Sequence, residues 1–267
     1  MPAFSLSDDL EFAGRLADAA RAAILPYFRA EAGLENKLGE TGFDPVTLAD
    51  RASEAAMRSL ISAERPDDGI LGEEFPPVDS RNGRLWTLDP IDGTRGFIAG
   101  FPTWTVLIAL DDGPDSILGM IDQPYIGERF TGSVSGAVHS RSGLPDRIPA
   151  VSGVTRLDGA ILASTDPYLF EGAEAEAFAR LRAAARLTRF GHDAYAYACL
   201  ASGQIDLVVE SGLQPFDVRA LIPVVTAAGG VLTNWRGGPA GDGGQVVAAA
   251  TPELHATALD MLASAAR

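Results

Sequence analysis

The chain is poor in sulfur and in positive charge. One cysteine, Cys199, occurs in 267 residues, so no intramolecular disulfide can form. It lies in the apolar stretch AYAYACLASG, which suits a buried structural thiol better than a nucleophile. Lysine and arginine number 21 against 36 aspartates and glutamates, a formal net charge of −15. The basic footprint of a nucleic-acid partner is therefore missing. Only three histidines occur, His139, His192 and His255, widely separated, and there is no CxxC, HExxH or GxxxxGK. Zinc sites built on those spacings and a P-loop are excluded. The longest aliphatic run, TVLIAL, is far too short to span a bilayer. The opening MPAFSLSDDLEF has no basic region followed by an apolar core, so no signal peptide and no membrane partner is expected. A cytoplasmic location is the default.

What is present is ordinary globular composition, 46% hydrophobic and 21% charged, long enough for a large core or two fused subdomains. Apolar residues Leu10, Ala13, Leu16, Ala17, Ala20 and Ile24 recur at helical spacing and predict a helix over 8–28, kinked or ended at Pro26. A loop over 31–45 follows. Thr47 and Asp50 have capping-box spacing at the start of a second helix, to about residue 63. Between 69 and 138, short apolar runs separated by Gly, Pro and Asp predict a largely antiparallel sheet. RSGLPDRIPAVSG reads as a joint between an N-terminal α+β half, 1–140, and a C-terminal half, 141–267, within one compact unit. The second half alternates strands with helices at 173–185, 194–201 and 218–228, an α/β layer. Strands are expected at 186–190, 205–210 and 245–250, and a last helix over 252–266.

Three acidic clusters stand at element ends, where side chains can converge: GEEF at 72–75, DPID at 89–92, and Asp217 in PFDVRAL. Hard divalent cations such as Mg²⁺ take oxygen ligands from a few carboxylates, with substrate phosphate and water completing the shell. Each cluster also has an ordinary reading. Asp-Pro and Asp-Gly favour turns, and an aspartate at a helix start favours the macrodipole. In DPIDGT the proline restrains the backbone so that both aspartates can face one way. Gly-Thr then opens a helical turn with free N–H groups.

LGEEF, WTLDPIDGTRGF and FDVRALIPVVTAAGG, in that order, with NKLGETGFDPVTLAD upstream, resemble the inositol-monophosphatase-like family of metal-dependent, lithium-sensitive phosphatases. The resemblance covers essentially the whole chain. It implies the layered αβαβα sandwich of the inositol monophosphatase and fructose-1,6-bisphosphatase type, two or three Mg²⁺ ions and a homodimer. By position it implies Glu73, Asp89, the Ile91 carbonyl, Asp92 and Asp217 as metal ligands. Glu73 and Thr94 would activate the attacking water, with Asp50 hydrogen-bonded to Thr94. The Gly93 and Thr94 amides would bind phosphate. For Asp50 a purely capping role stays open. Lys37 matches a family lysine too loosely to join this set. Trp104 and Tyr197 read as core.

Phe216 stands where the family usually has Trp, and Ala227 begins a run that is commonly Glu-Ala-Gly-Gly. The segment RFGHDAYAYACLASGQIDLVVESGLQPFD looks most like the histidinol-phosphate phosphatase branch. The expected partner is then a small phosphorylated substrate, histidinol phosphate. Asp193 and Glu210 are carboxylates beyond the metal set, placed to bind the substrate ammonium. A first-turn or N-cap role for Asp193 is the alternative. His192 either lines the pocket or is simply exposed. The rival readings are a sister phosphatase acting on inositol phosphates, fructose bisphosphate or 3′-phosphoadenosine phosphates, and a non-catalytic binding protein on the same fold.

Overall fold

The computed structural model describes residues 4–30, 35–36 and 45–267, without the side chains at 35, 36, 45, 46 and 115. Lys37 lies outside the described residues. Among the described residues no helix is long and apolar enough to cross a membrane.

The elements in chain order are α1 (Leu6–Ile24), β1 (Glu35–Asn36), β2 (Pro45–Val46), α2 (Leu48–Glu64), β3 (Gly69–Gly72), β4 (Arg84–Asp92) and α3 (Thr94–Ile98). They continue with β5 (Thr105–Asp112), β6 (Asp115–Gln123), β7 (Glu128–Ser133), β8 (Gly136–Arg141), β9 (Ile161–Ser164), α4 (Ala173–Ala184) and β10 (Leu187–Phe190). The last are α5 (Tyr195–Ala201), β11 (Leu207–Leu213), α6 (Pro215–Val218), α7 (Leu221–Ala227), β12 (Val231–Asn234), β13 (Gly244–Ala249) and α8 (Pro252–Leu262).

Five layers result. Helices α1 and α2 pack on one face of a six-stranded sheet ordered β3-β4-β5-β6-β7-β8. Helices α5 and α7 lie between that sheet and a five-stranded one ordered β10-β9-β11-β13-β12. Helices α4 and α8 cover the outer face of the second sheet. Three apolar clusters fill the four interfaces, one of them spanning both sides of the α5 and α7 layer. The first sheet is antiparallel except for β3, which runs parallel to β4. In the second sheet β9 pairs in parallel with β10 and β11.

Both N-terminal helices begin where side-chain chemistry dictates. Ser5 with Asp8, and Thr47 with Asp50, form reciprocal capping boxes that satisfy otherwise orphaned amides. The predicted 8–28 helix stops at Ile24, ahead of Pro26, because Pro26 has no N–H to give to Ala22 and its ring crowds that carbonyl. The predicted helix over 218–228 is instead two short helices, α6 and α7, and β12 was not anticipated. Helix α7 lies directly on the first sheet. A Cβ on Gly119 would stand 2.1 Å from the Ala220 carbonyl oxygen, and one on Gly132 would stand 2.1 Å from that of Pro223. Only glycine permits this approach, and it brings α6, with Asp217, over the end of β4.

Candidate active site

The DPID segment is the end of β4, not a turn. Asp89 pairs with Leu107 and Asp92 with Thr105, so three steps on β4 oppose two on β5. In a regular strand, side chains three apart point to opposite faces. The one-residue bulge cancels that alternation and lets both aspartates serve one cleft. Pro90, which has no N–H to give a ladder, sits within the bulge, where it is tolerated. The Ile91 N–H donates to Asp89 Oδ1 at 3.1 Å, fixing that carboxylate.

Asp217 arrives from the C-terminal part of the chain as the third residue of α6, with the Gln214 N–H donating to its Oδ2 at 2.7 Å. Asp89, Asp92 and Asp217 each place a carboxylate oxygen within 4.8 Å of the others. Glu73 follows β3, whose parallel register sets Gly72 beside Leu88 and so brings Glu73 level with Asp89. These residues share a cleft of about 380 Å³ with Ile91, Gly93, Thr94, Asp193 and Glu210.

Crowding these acids raises their pKa values. Burial pushes Asp89 well above the carboxylate range, reinforced by Glu73, Asp92 and Asp217. Asp92 is raised by burial and then by Asp193 and Asp217. Asp217 moves up to about 6, again by burial. A cluster of oxygen donors that resists holding its own negative charge is one a hard dication would stabilise. The donor set therefore fits Mg²⁺, with Glu73, Asp89, Asp92, Asp217 and the Ile91 carbonyl available to hold it.

Gly93 joins β4 to α3 in the left-handed region, at φ 83°. A Cβ there would also stand 3.1 Å from Asp193 Oδ2, so the site needs glycine on two counts. The Thr94 hydroxyl donates to the Ile91 carbonyl at 3.1 Å. The expected bond between Thr94 and Asp50 is not formed. Asp50 is buried outside the cleft lining, and its Oδ2 accepts from the Thr47 N–H and hydroxyl at 2.8 and 2.6 Å. The capping box thus engages Oδ2 of the carboxylate that the resemblance assigned to Thr94. Burial raises Asp50 to about 6, and its charge in turn helps raise Asp89.

Asp193 lines the cleft opposite Gly93, in a left-handed conformation with φ 45°. It is not an N-cap: that position is Ala194, whose N–H donates to Asp92 Oδ2 at 2.6 Å. Burial raises Asp193 to about 6, opposed by the nearby Arg95 guanidinium. Glu210, 1% exposed on β11, accepts at Oε1 from the Thr165 N–H at 2.8 Å and hydroxyl at 3.1 Å, while Oε2 is buried without a partner. Burial lifts Glu210 to about 8. His192 is not among the cleft-lining residues. Positive φ at both Gly191 and Asp193 folds the chain sharply around it, so Asp193 enters the cleft and its neighbour does not.

Two contributors escaped sequence reasoning. Glu54, fully buried on α2, accepts from the Glu74 N–H at 2.7 Å and the Phe75 N–H at 3.3 Å, and pairs with Arg58 at 2.7 Å. It thereby holds the loop that carries Glu73. Its signal was a glutamate on the buried stripe of α2, with Asp50, Met57 and Ile61. Arg95 also lines the cleft and lies 3.9 Å from Asp166 across its mouth. No spacing rule would have found that pair.

Comparison with known proteins agrees with this geometry. The profile of the Inositol monophosphatase family matches residues 5–266. A bifunctional phosphatase of Arabidopsis thaliana, IMPL2, chloroplastic, is 39% identical over 92% of this chain and 72% of its own length. A histidinol-phosphatase of Chlorobaculum parvum is 36% identical over 87% of this chain and 88% of its own. The structure of an inositol monophosphatase from Zymomonas mobilis superposes with a TM-score of 0.82 at 38% identity, covering 98% of this chain and all of that one.

Proposed function

The chain belongs to the inositol monophosphatase family of phosphatases, and from that premise we propose that it hydrolyses histidinol phosphate, with Mg²⁺ held by Glu73, Asp89, the Ile91 carbonyl, Asp92 and Asp217. The observation that carries the substrate is the presence of two further carboxylates, Asp193 and Glu210, in the cleft of the metal cluster. A phosphate monoester bearing an ammonium group answers both features: phosphate toward the cations, ammonium toward Asp193 and Glu210. A second phosphate would be repelled there, which disfavours bisphosphate substrates. A histidinol-phosphatase relative at 36% identity supports the same choice.

Bound Mg²⁺, two or three ions in this reading, would neutralise the phosphate, stabilise the leaving oxygen and lower the pKa of the attacking water. The remaining work falls to the chain. The Glu73 carboxylate accepts the proton of the attacking water. The Thr94 hydroxyl, its hydrogen given to the Ile91 carbonyl, keeps an oxygen lone pair with which to orient that water. The Gly93 and Thr94 amides hold the phosphate in line for attack, which matters because uncatalysed monoester hydrolysis is extremely slow. Glu54 keeps Glu73 in place, and Asp50 acts by securing the start of α2 and through its charge. The division into residues 1–140 and 141–267, a homodimer and a cytoplasmic setting belong to the same proposal.

An inositol monophosphatase is the second reading, favoured by the Zymomonas mobilis structure and by the ability of sugar hydroxyls to donate to Glu210. Phosphate release from histidinol phosphate, inositol 1-phosphate, fructose 1,6-bisphosphate and 3′-phosphoadenosine 5′-phosphate, each with and without Mg²⁺, separates the readings. Histidinol phosphate is expected to show the highest kcat/KM, and only with metal. A higher value for inositol 1-phosphate would overturn the substrate. Absence of metal-dependent release from all four would overturn the activity.

A further inference from the structure

A second cavity, of about 370 Å³, lies away from the metal cluster, where the joint segment crosses β7 and β8 and meets α5. Its floor is polar and buried. Glu128, 8% exposed, accepts from the Tyr195 hydroxyl at Oε2, 2.9 Å away, and has Arg141 3.5 Å from Oε1. His139, 7% exposed, stacks on Phe130 with ring centroids 4.1 Å apart. Arg147 is held beside it by a two-way backbone bridge, and its guanidinium lies 3.3 Å from His139 Nδ1. Because arginine can only donate, Nδ1 must carry the lone pair and Nε2 the hydrogen. That Nε2–H is buried without a partner, since Glu128 Oε1 is 4.0 Å away, beyond hydrogen-bond reach. The Ser202 hydroxyl, also lining the cavity, is likewise buried and unpartnered.

An unmade buried hydrogen bond costs free energy, so two at one cavity mark a place where a ligand gains what the free protein lacks. The arrangement also selects the ligand. Arg147, His139 and Ser202, all with donors, line it together with one carboxylate, Glu128. Ile148 and Pro149 supply an apolar wall. The volume is in the range of small-molecule sites. We propose that this cavity is a second binding site, for an α-amino acid whose carboxylate meets Arg147, His139 and Ser202 and whose ammonium meets Glu128. Helix α5 separates it from the cleft: Tyr195 and Cys199 line the cavity, while Ala194 just ahead of the helix binds Asp92.

The test is calorimetric titration of the intact, Mg²⁺-loaded protein with L-phenylalanine, L-leucine, L-histidine and L-glutamate, with 3-phenylpropionate and phenethylamine as ligands carrying one charge each. At least one amino acid is expected to saturate. The two single-charge ligands should bind at least about tenfold more weakly than L-phenylalanine if that is the amino acid bound. Arg147→Ala and Ser202→Ala should each weaken binding about tenfold, and Asp193→Asn should leave it unchanged. Arg147 is exposed, so its truncation leaves the core intact. The proposal is overturned if no amino acid saturates below about 10 mM, or if Arg147→Ala and Ser202→Ala both bind as the wild type does. It is also overturned if binding is lost in Asp193→Asn, which would assign the ligand to the cleft.

Discussion

In the proposed reading Asp193 decides substrate choice, and its backbone allows a clean test. Asparagine tolerates the left-handed conformation that φ 45° requires, so Asp193→Asn removes charge with little strain. A charged hydrogen bond contributes about 1.5–3 kcal/mol, so KM for histidinol phosphate should rise roughly 10- to 100-fold. The KM for inositol 1-phosphate should change much less. Steady-state kinetics on both substrates check this. DPIDGT, Glu73 and Asp217 were legible in the sequence because their spacing is specific. The absent Asp50–Thr94 bond was not, because the capping box turns the Asp50 carboxylate toward Thr47. Glu54 was missed because a buried glutamate on an amphipathic helix looks like an ordinary surface charge until its partners, the Glu74 and Phe75 amides, are seen.

At the scale of elements, the cleft depends on how β3, β4 and α7 are placed. Glu54→Ala would leave the Glu74 and Phe75 amides without their buried acceptor, at a cost of about 3 kcal/mol. It would also release Glu73. We expect a fall in melting temperature together with a drop in kcat of more than about tenfold; thermal denaturation and kinetics on the same sample measure both. Gly132→Ala forces a methyl against the Pro223 carbonyl and should destabilise by about 3 kcal/mol, read by denaturant unfolding. The start of α2 was legible because its capping box is local chemistry, whereas the Ser5 cap of α1 and the split between α6 and α7 were not read. The bulge in β4 was not, since it arises from pairing with β5, and neither was β12, a four-residue strand flanked by glycine-rich sequence.

For the whole molecule, the layered fold joins acids distant in the sequence, and the metal-free protein bears the repulsion. Asp50, Asp193 and Asp217 sit near pKa 6 and Glu210 near 8, all above their unfolded values. A raised carboxylate favours folding while protonated, and that contribution is lost as pH climbs through the folded pKa. From about pH 7.5 to about pH 8.5 His139 and His255, both lowered by burial, are neutral in both states, so the loss from Glu210 is not offset there. The melting temperature of chelator-treated protein should therefore fall by roughly 2 °C over that window, and added Mg²⁺ should restore more of it at the upper end. Scanning calorimetry at several pH values, with and without Mg²⁺, checks the trend.

The central claim is that a substrate ammonium is recognised by Asp193 and Glu210 beside the metal cluster. Its most direct test compares kcat/KM, with Mg²⁺ present, for histidinol phosphate and for the same phosphate ester with the amino group replaced by hydrogen. The imidazole, the chain length and the reacting phosphate are identical in the two. Loss of two charge-assisted contacts should lower kcat/KM for the deaminated ester by about 100-fold or more. Equal values for the two esters would contradict the claim.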